Sequence, residues 1–84
     1  MPATYTVRAE WDAEASVWVA TSDDVPGLCA EASTVEELTA VVLELVPELL
    51  VLNGVLAKGE AGEIPVRITA EREAVARPAP PDGR

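Results

Sequence analysis

Carboxylates are the side chains of this chain that could most readily do chemistry. A candidate set lies near predicted strand ends and consists of Asp12, Glu14, Asp23, Asp24 and Glu31. If they converged on one or two magnesium ions, they would form a metal site of the ribonuclease type. In the alternative, which we favour, they are hairpin-loop and turn acids that bond local backbone. This interpretation predicts a chain with no catalytic residue, no cofactor and no metal.

A nucleophilic mechanism would lack its usual base. The chain has one cysteine, Cys29, and no histidine, so neither Cys29 nor any serine has the partner that normally activates it. A Ser–Lys pair would need Lys58, which stands in a loop with Gly59. Cys29 is therefore expected to be a small strand thiol, buried or half-buried.

Two tryptophans are candidates for a binding site, because an aromatic ring can stack on a base or anchor a protein interface. Trp11 continues the apolar alternation of its strand, which favours a place in the core. Trp18 points opposite to Val17 and Val19, so one of these sets must face away from the helix. An exposed Trp18 would be an anchor for a protein partner.

The charge of the chain argues against direct binding of nucleic acid. Its formal net charge is −9, from 15 acidic and 6 basic side chains, whereas phosphate contact needs clusters of Lys and Arg. Hydrophobic residues make up 49% of the chain, which is too apolar for disorder throughout. An acidic surface over an apolar core suits a basic protein partner, although the charge could also serve solubility alone.

The length of the chain, 84 residues, predicts one domain that gains from a partner subunit. A chain this short buries only roughly 60% of its unfolded surface. A single cysteine and no histidine leave neither a disulfide nor a Cys/His zinc site to support it. A homodimer or higher oligomer is therefore expected. The N-terminus has no leader-like pattern, so a cytoplasmic location without membrane contact is the default expectation.

The first third of the chain has the pattern of three short strands. Residues 4–12 alternate apolar and polar, and residues 16–22 are rich in β-forming side chains, so a hairpin is predicted. Pro26 presets φ and Gly27 tolerates positive φ, which predicts a type II turn. Residues 28–32 then alternate weakly as a third strand.

A helix is predicted from Thr34 towards Asn53. Thr34 and Glu37 have the spacing of a capping box, and Asn53 with Gly54 is a stop signal. Pro47 inside the pattern predicts a kink or a break, because it cannot donate to the carbonyl of Leu43.

The predicted helix has more apolar surface than one sheet face can cover. At about 100° per residue, its main apolar face consists of Leu38, Val41, Val42, Leu45, Leu49 and Leu52. A further set, Val35, Leu43, Val46 and Leu50, widens the apolar arc to roughly 200°. We therefore predict that something else covers the excess, with a second copy of the chain as the simplest candidate. The residues assigned to this dimer or packing surface are Leu43, Val46 and Leu50.

The chain after the helix predicts one more strand and a tail. Residues 64–72 alternate, and Pro65 near their start favours an edge position. Residues 74–84 are rich in Ala, Arg and Pro without periodicity and are expected to be disordered. The prediction is thus an α+β domain over residues 1–73, in the order β-β-β-α-β, with an antiparallel sheet and one kinked helix packed on a face.

The combination of motifs resembles the HicB-like antitoxin superfamily over residues 4–72. The resemblance depends on the hairpin, on the turn Asp24-Val25-Pro26-Gly27-Leu28 and on the helix start at Thr34. Within that superfamily the chain looks most like short stand-alone bacterial proteins of unknown function. The resemblance implies a partial ribonuclease H-like fold in which catalysis has been lost.

The best-understood members of that superfamily are antitoxins, which bind and block a small basic toxin that cleaves messenger RNA. Many also have a C-terminal DNA-binding domain, whereas here only a proline-rich tail follows Arg72. The resemblance therefore implies a non-catalytic, toxin-neutralising module in which acidic surface occupies a basic RNA-binding face. The residues predicted to contact such a partner are Glu14, Trp18, Asp23 and Asp24. A stand-alone homodimeric domain with no toxin, and a metal-dependent nuclease, remain the alternatives.

Overall fold

One helix packs on a four-stranded sheet in the computed structural model, which describes residues 4–56 and 62–79. The elements in chain order are β1 (Tyr5–Asp12), β2 (Val17–Thr21), β3 (Cys29–Ala32), α1 (Val35–Leu52) and β4 (Val66–Glu71). The predicted α+β class and element order are confirmed. The predicted loop residues Lys58 and Gly59, and residues 80–84 of the predicted tail, lie outside the described residues.

The predicted hairpin forms between β1 and β2, with Trp11 opposite Trp18 in an antiparallel register. Asp12 closes the loop locally, because its Oδ1 accepts from the backbone N–H groups of Glu14, at 3.1 Å, and Ala15, at 3.3 Å. Ser16 then returns the chain to β2 with φ at 56°, a left-handed conformation that suits glycine far better than serine.

Replacing Ser16 by glycine is expected to raise the free energy of unfolding by about 0.5–1 kcal/mol. The strain of a left-handed non-glycine residue is removed, partly offset by the greater freedom of glycine in the unfolded chain. Chemical denaturation of both proteins would measure the difference. The matched variant Ser33→Gly, just before the helix, should not stabilise, and a destabilised S16G protein would contradict the assignment.

The sheet is mixed, with strand order β3-β2-β1-β4. β2 pairs with β1 and β3 in antiparallel fashion, but β4 lies parallel to β1, with Tyr5 beside Val66 and Glu10 beside Glu71. The prediction of an antiparallel sheet was therefore wrong for its last strand. The reason is that α1 carries the chain from the end of β3 back to the starting end of β1, so β4 must run in the direction of β1.

α1 is one continuous helix of 18 residues that includes Pro47. Of the kink or break predicted at Pro47, the break does not occur. Thr34 is the N-cap, and its Oγ1 accepts from the backbone N–H of Glu37 at 3.0 Å. Asn53 is the C-cap, and its side chain Nδ2 donates to the carbonyl of Pro26 at 3.0 Å. This last bond ties the end of the helix to the turn before β3. The predicted helix limits are confirmed.

The buried stripe of α1 consists of every fourth residue: Leu38, Val42, Val46 and Leu50, all fully buried. Val46 and Leu50 were expected to meet a second copy, and that expectation was wrong because they fill the core of their own chain. Leu43 is 52% exposed, as expected of a surface residue. Residues four apart differ by about 40° in direction around the helix, so this stripe winds around α1. A prediction that assumes one straight apolar face therefore does not include all four residues.

Candidate functional site

The two tryptophans meet at the end of the sheet where the β1–β2 hairpin lies, which we call the hairpin end. Their ring centroids are 5.5 Å apart and the ring planes are inclined by 62°, an edge-to-face contact. Both side chains are half-buried, and Trp18 packs against the core on the helix side of the sheet. Such a pair is pre-organised and partly solvated, which is typical of aromatic anchors at protein interfaces.

A guanidinium group lies over the Trp11 ring of this pair. Arg72, the first residue after β4, places its Cζ atom 4.3 Å from the centroid of the Trp11 ring. The contact orders the exposed Arg72 through a cation–π interaction, worth about 0.5–1 kcal/mol at an exposed site. Sequence reasoning missed Arg72, because it reaches Trp11 only through the parallel register that sets Glu71 beside Glu10.

Exposed carboxylates lie at the same end of the sheet as the tryptophan pair. Glu14 is exposed in the hairpin loop, and Asp12 is exposed as the last residue of β1. The helix also begins at this end, because Ala32 pairs with Trp18, and its first turn carries the exposed Glu36. The hairpin end therefore presents an aromatic pair, one ring of which Arg72 covers, together with exposed Asp12, Glu14 and Glu36, which we call the acidic rim. This arrangement is suited to a basic protein surface with an apolar patch.

The other two predicted contact residues, Asp23 and Asp24, lie at the opposite end of the sheet. The backbone N–H of Thr6, near the start of β1, donates to Oδ2 of Asp24 at 2.8 Å. Thr6 and Asp12 are six residues apart on one strand, a separation of about 20 Å. The four predicted residues are thus divided between two ends of the molecule, and Glu14 and Trp18 share one of them.

Asp24 and its neighbours have structural roles that account for their motif. Val25 and Leu28 are buried, and Leu28 N–H donates to the carbonyl of Val25 at 3.1 Å across the turn. Gly27 has φ at 88°, as the predicted type II turn requires. Ser22 Oγ accepts from the N–H groups of Asp24 and Val25, both at 3.1 Å. The segment is thus a clamp that joins β1, the turn and α1.

The carboxylates proposed for a nuclease do not converge. Asp12 is at the hairpin end, Asp23 is at the opposite end, and Glu31 is on the edge strand β3. Within residues 4–56 and 62–79, no group of three or more Asp, Glu, His or Cys side chains could hold a metal ion. The alternative of a metal-dependent nuclease built on these residues therefore has no geometric support.

Cys29 was expected to be buried or half-buried, and this was wrong. The thiol is free and exposed, because Cys29 begins the edge strand β3 and points to the sheet face opposite α1. Its strand neighbour Ala30 points to the helix side and is buried. The alternation was predicted correctly, but the exposure depends on which face the helix covers.

The fold and this surface define a small sheet-and-helix domain with an aromatic, acid-rimmed end. The chain belongs to the family described as Domain of unknown function (DUF1902), whose model matches residues 4–78. Among solved structures it is similar to hypothetical protein TTHA1013 from the extremely thermophilic bacterium Thermus thermophilus, with 51% identity and a TM-score of 0.64. That match covers 88% of this chain and 97% of the other. A search of curated proteins found no match.

The family match reaches residue 78 and so includes part of the predicted tail. The described part of that tail, residues 74–79, is exposed and forms neither helix nor strand. Within the described part of the chain, no helix has the length and apolar character needed to cross a membrane.

Proposed function

We propose that this chain is a non-catalytic protein-binding module of the HicB-like antitoxin type, which neutralises a small basic RNA-cleaving toxin in the cytoplasm. The observation that carries the proposal is the half-buried Trp11–Trp18 pair at an end of the sheet that also has exposed carboxylates. The aromatic pair would bury against the partner, and the acidic rim would steer a basic surface towards it. The toxin loses its RNA-binding face by occlusion, so no reaction is required of the chain.

The electrostatics of the whole chain support the same class of partner. A net charge of −9 repels RNA and attracts a protein that itself binds RNA. The proposal assigns direct contact with the partner to Glu14 and Trp18, while Asp24 acts through the fold. Asp23, at the far end of the sheet, is expected to contribute less.

The first test is capture of the native partner with the tagged full chain, followed by reconstitution. We expect a small basic protein whose RNA cleavage stops when the chain is added. Trp18→Ala should weaken the complex by about 2 kcal/mol or more, roughly 30-fold in Kd. Glu14→Lys should lower the association rate by about tenfold at low salt, because it reverses a rim charge.

Two controls separate partner binding from other effects. Glu48→Lys makes the same charge change on the exposed side of α1 and should leave the association rate almost unchanged. A thermal melt of the Trp18→Ala protein shows whether it is still folded at the assay temperature. If Asp23→Lys weakens the complex and Glu14→Lys does not, the binding surface is at the other end of the sheet.

The second candidate is a stand-alone homodimeric domain with no toxin partner. It is favoured by the sheet face opposite α1, whose charge pattern is complementary to itself. The two candidates predict different results from the same capture experiment. A chain that forms a homodimer and captures no basic RNA-cleaving protein would support the stand-alone domain and contradict the antitoxin proposal.

A further inference from the structure

The sheet has a second face, opposite α1, whose charges are arranged in an ordered way. We call it the open face. Its side chains are Thr6, Arg8, Glu10 and Asp12 on β1, Val17, Val19 and Thr21 on β2, Cys29 and Glu31 on β3, and Arg67, Thr69 and Glu71 on β4. All are exposed or half-buried, whereas their alternating neighbours on β1 and β2 face the helix.

Carboxylates form one row across the open face, on the half nearer the hairpin end. Glu31 pairs with Val19, Val19 pairs with Glu10, and Glu10 is beside Glu71 in the parallel register. Strands are about 4.8 Å apart, so Glu10 and Glu71 are adjacent like charges, which is unfavourable in an isolated sheet. We call Glu31, Glu10 and Glu71 the acidic row.

Arginines occupy the other half of the same face. Arg8 lies two residues before Glu10 on β1, and Arg67 lies on β4 beside Thr6 of β1. Both guanidinium groups are on exposed residues. We call them the arginine pair, and they are two of only 6 basic residues in the chain. The open face is therefore acidic on one half and basic on the other, with Val17 and Val19 as its apolar part.

This pattern is complementary to its own copy turned by 180°. In a twofold dimer with open faces together and the axis perpendicular to the strands, the two sheets run in opposite directions. Such an axis between Arg8 and Glu10 places each Arg8 over the Glu10 of the other copy. Arg67 then comes within reach of the second Glu71, since both are on β4.

We propose that the open face is a homodimer interface, in which the arginine pair of each copy binds Glu10 and Glu71 of the other. The inference is independent of the toxin proposal, because it uses the sheet face and leaves the hairpin loop free. This interface takes the place of the one that the sequence predicted on α1, because Val46 and Leu50 are buried in the core of their own chain.

The size of the face sets what kind of dimer to expect. Four strands and about six residues along each give a flat footprint of about 19 by 20 Å. This is smaller than the roughly 800 Å² per partner of a standard interface. The dimer should therefore depend on its charge pairs and dissociate on dilution, the more so because each copy has a net charge of −9.

Charge exchange within the interface is the decisive experiment. Arg8→Glu and Glu10→Arg each create two like-charge contacts in a homodimer, so each protein alone should be monomeric by sedimentation velocity. Mixing the two proteins restores both opposite-charge contacts, and a heterodimer should form. The double variant R8E/E10R should again form a homodimer. Both substitutions are at exposed positions, and circular dichroism would verify the fold.

Matched variants off the face complete the test. Leu43→Glu on the exposed side of α1 and Arg77→Glu after the last strand should leave the dimer intact. A wild-type chain that stays monomeric throughout a concentration series would overturn the proposal. So would a dimer that survives both single charge changes, or one that Leu43→Glu abolishes, which would place the interface on the helix.

Discussion

Replacing Leu50 by alanine is expected to lower the free energy of unfolding by about 2–5 kcal/mol, the largest effect of any single substitution considered for this chain. The side chain is fully buried between α1 and the sheet, and its loss leaves a cavity. A domain of this length has a total stability of about 4–13 kcal/mol, so the loss is a large fraction of the total. Chemical denaturation would measure the change.

Leu43→Ala is the matched control on the same helix. The side chain is 52% exposed, and alanine has the higher helix propensity, so the expected change is below about 1 kcal/mol. The two variants remove the same atoms from the same kind of element. Equal losses at both positions would contradict the packing described for α1. Both should be compared at one protein concentration, because the proposed dimer would make stability depend on concentration.

Replacing Asp24 by alanine is expected to cost about 1.5–3 kcal/mol, the range for a hydrogen bond to a charged group. The half-buried carboxylate accepts from the backbone N–H of Thr6 at 2.8 Å, and without it that donor loses its partner. For a chain of this size the melting temperature should fall by about 4–8 °C per kcal/mol. Differential scanning calorimetry would measure both quantities.

Its neighbour provides the control in this case. Asp23 is exposed, and Asp23→Ala should change stability by less than about 0.5 kcal/mol. Asp24→Asn should recover part of the loss, because the amide oxygen can still accept from Thr6. If Asp24→Ala leaves stability unchanged but weakens a captured partner, Asp24 is a contact residue as first predicted from the sequence.

The turn of residues 24–28 has structural roles that account for its motif. The turn motif that suggested the resemblance is a clamp in this structure: a carboxylate bonded to β1, two buried apolar side chains and a glycine with positive φ. Each of these roles is required by the fold, whatever the chain binds. The motif therefore predicted the architecture well, while the choice of partner must depend on other surfaces.

Two surfaces could determine which partner binds, and they differ in their chemical character. The hairpin end combines a rigid aromatic pair with an acidic rim, which suits a different, basic protein. The open face combines opposite charges on its two halves, which suits its own copy. Because they are different surfaces, one chain could use both, and the charge-exchange variants can be tested in the partner assay to separate them.

Local patterns in the sequence were sufficient for the elements formed by neighbouring residues. The hairpin, the type II turn and the capped helix each depend on side chains a few residues apart, and each was predicted at nearly its observed limits. The core positions of β1 followed from alternation for the same reason.

What the sequence alone determined is therefore the order and type of the elements and the acidic, apolar-cored character of the chain. Only the tertiary structure decided that β4 runs parallel to β1, that Val46 and Leu50 face inward, that Cys29 is exposed and that Arg72 covers Trp11. Each of these depends on the path of α1 across the sheet. That path is set by packing between residues far apart in the chain, which no local periodicity encodes.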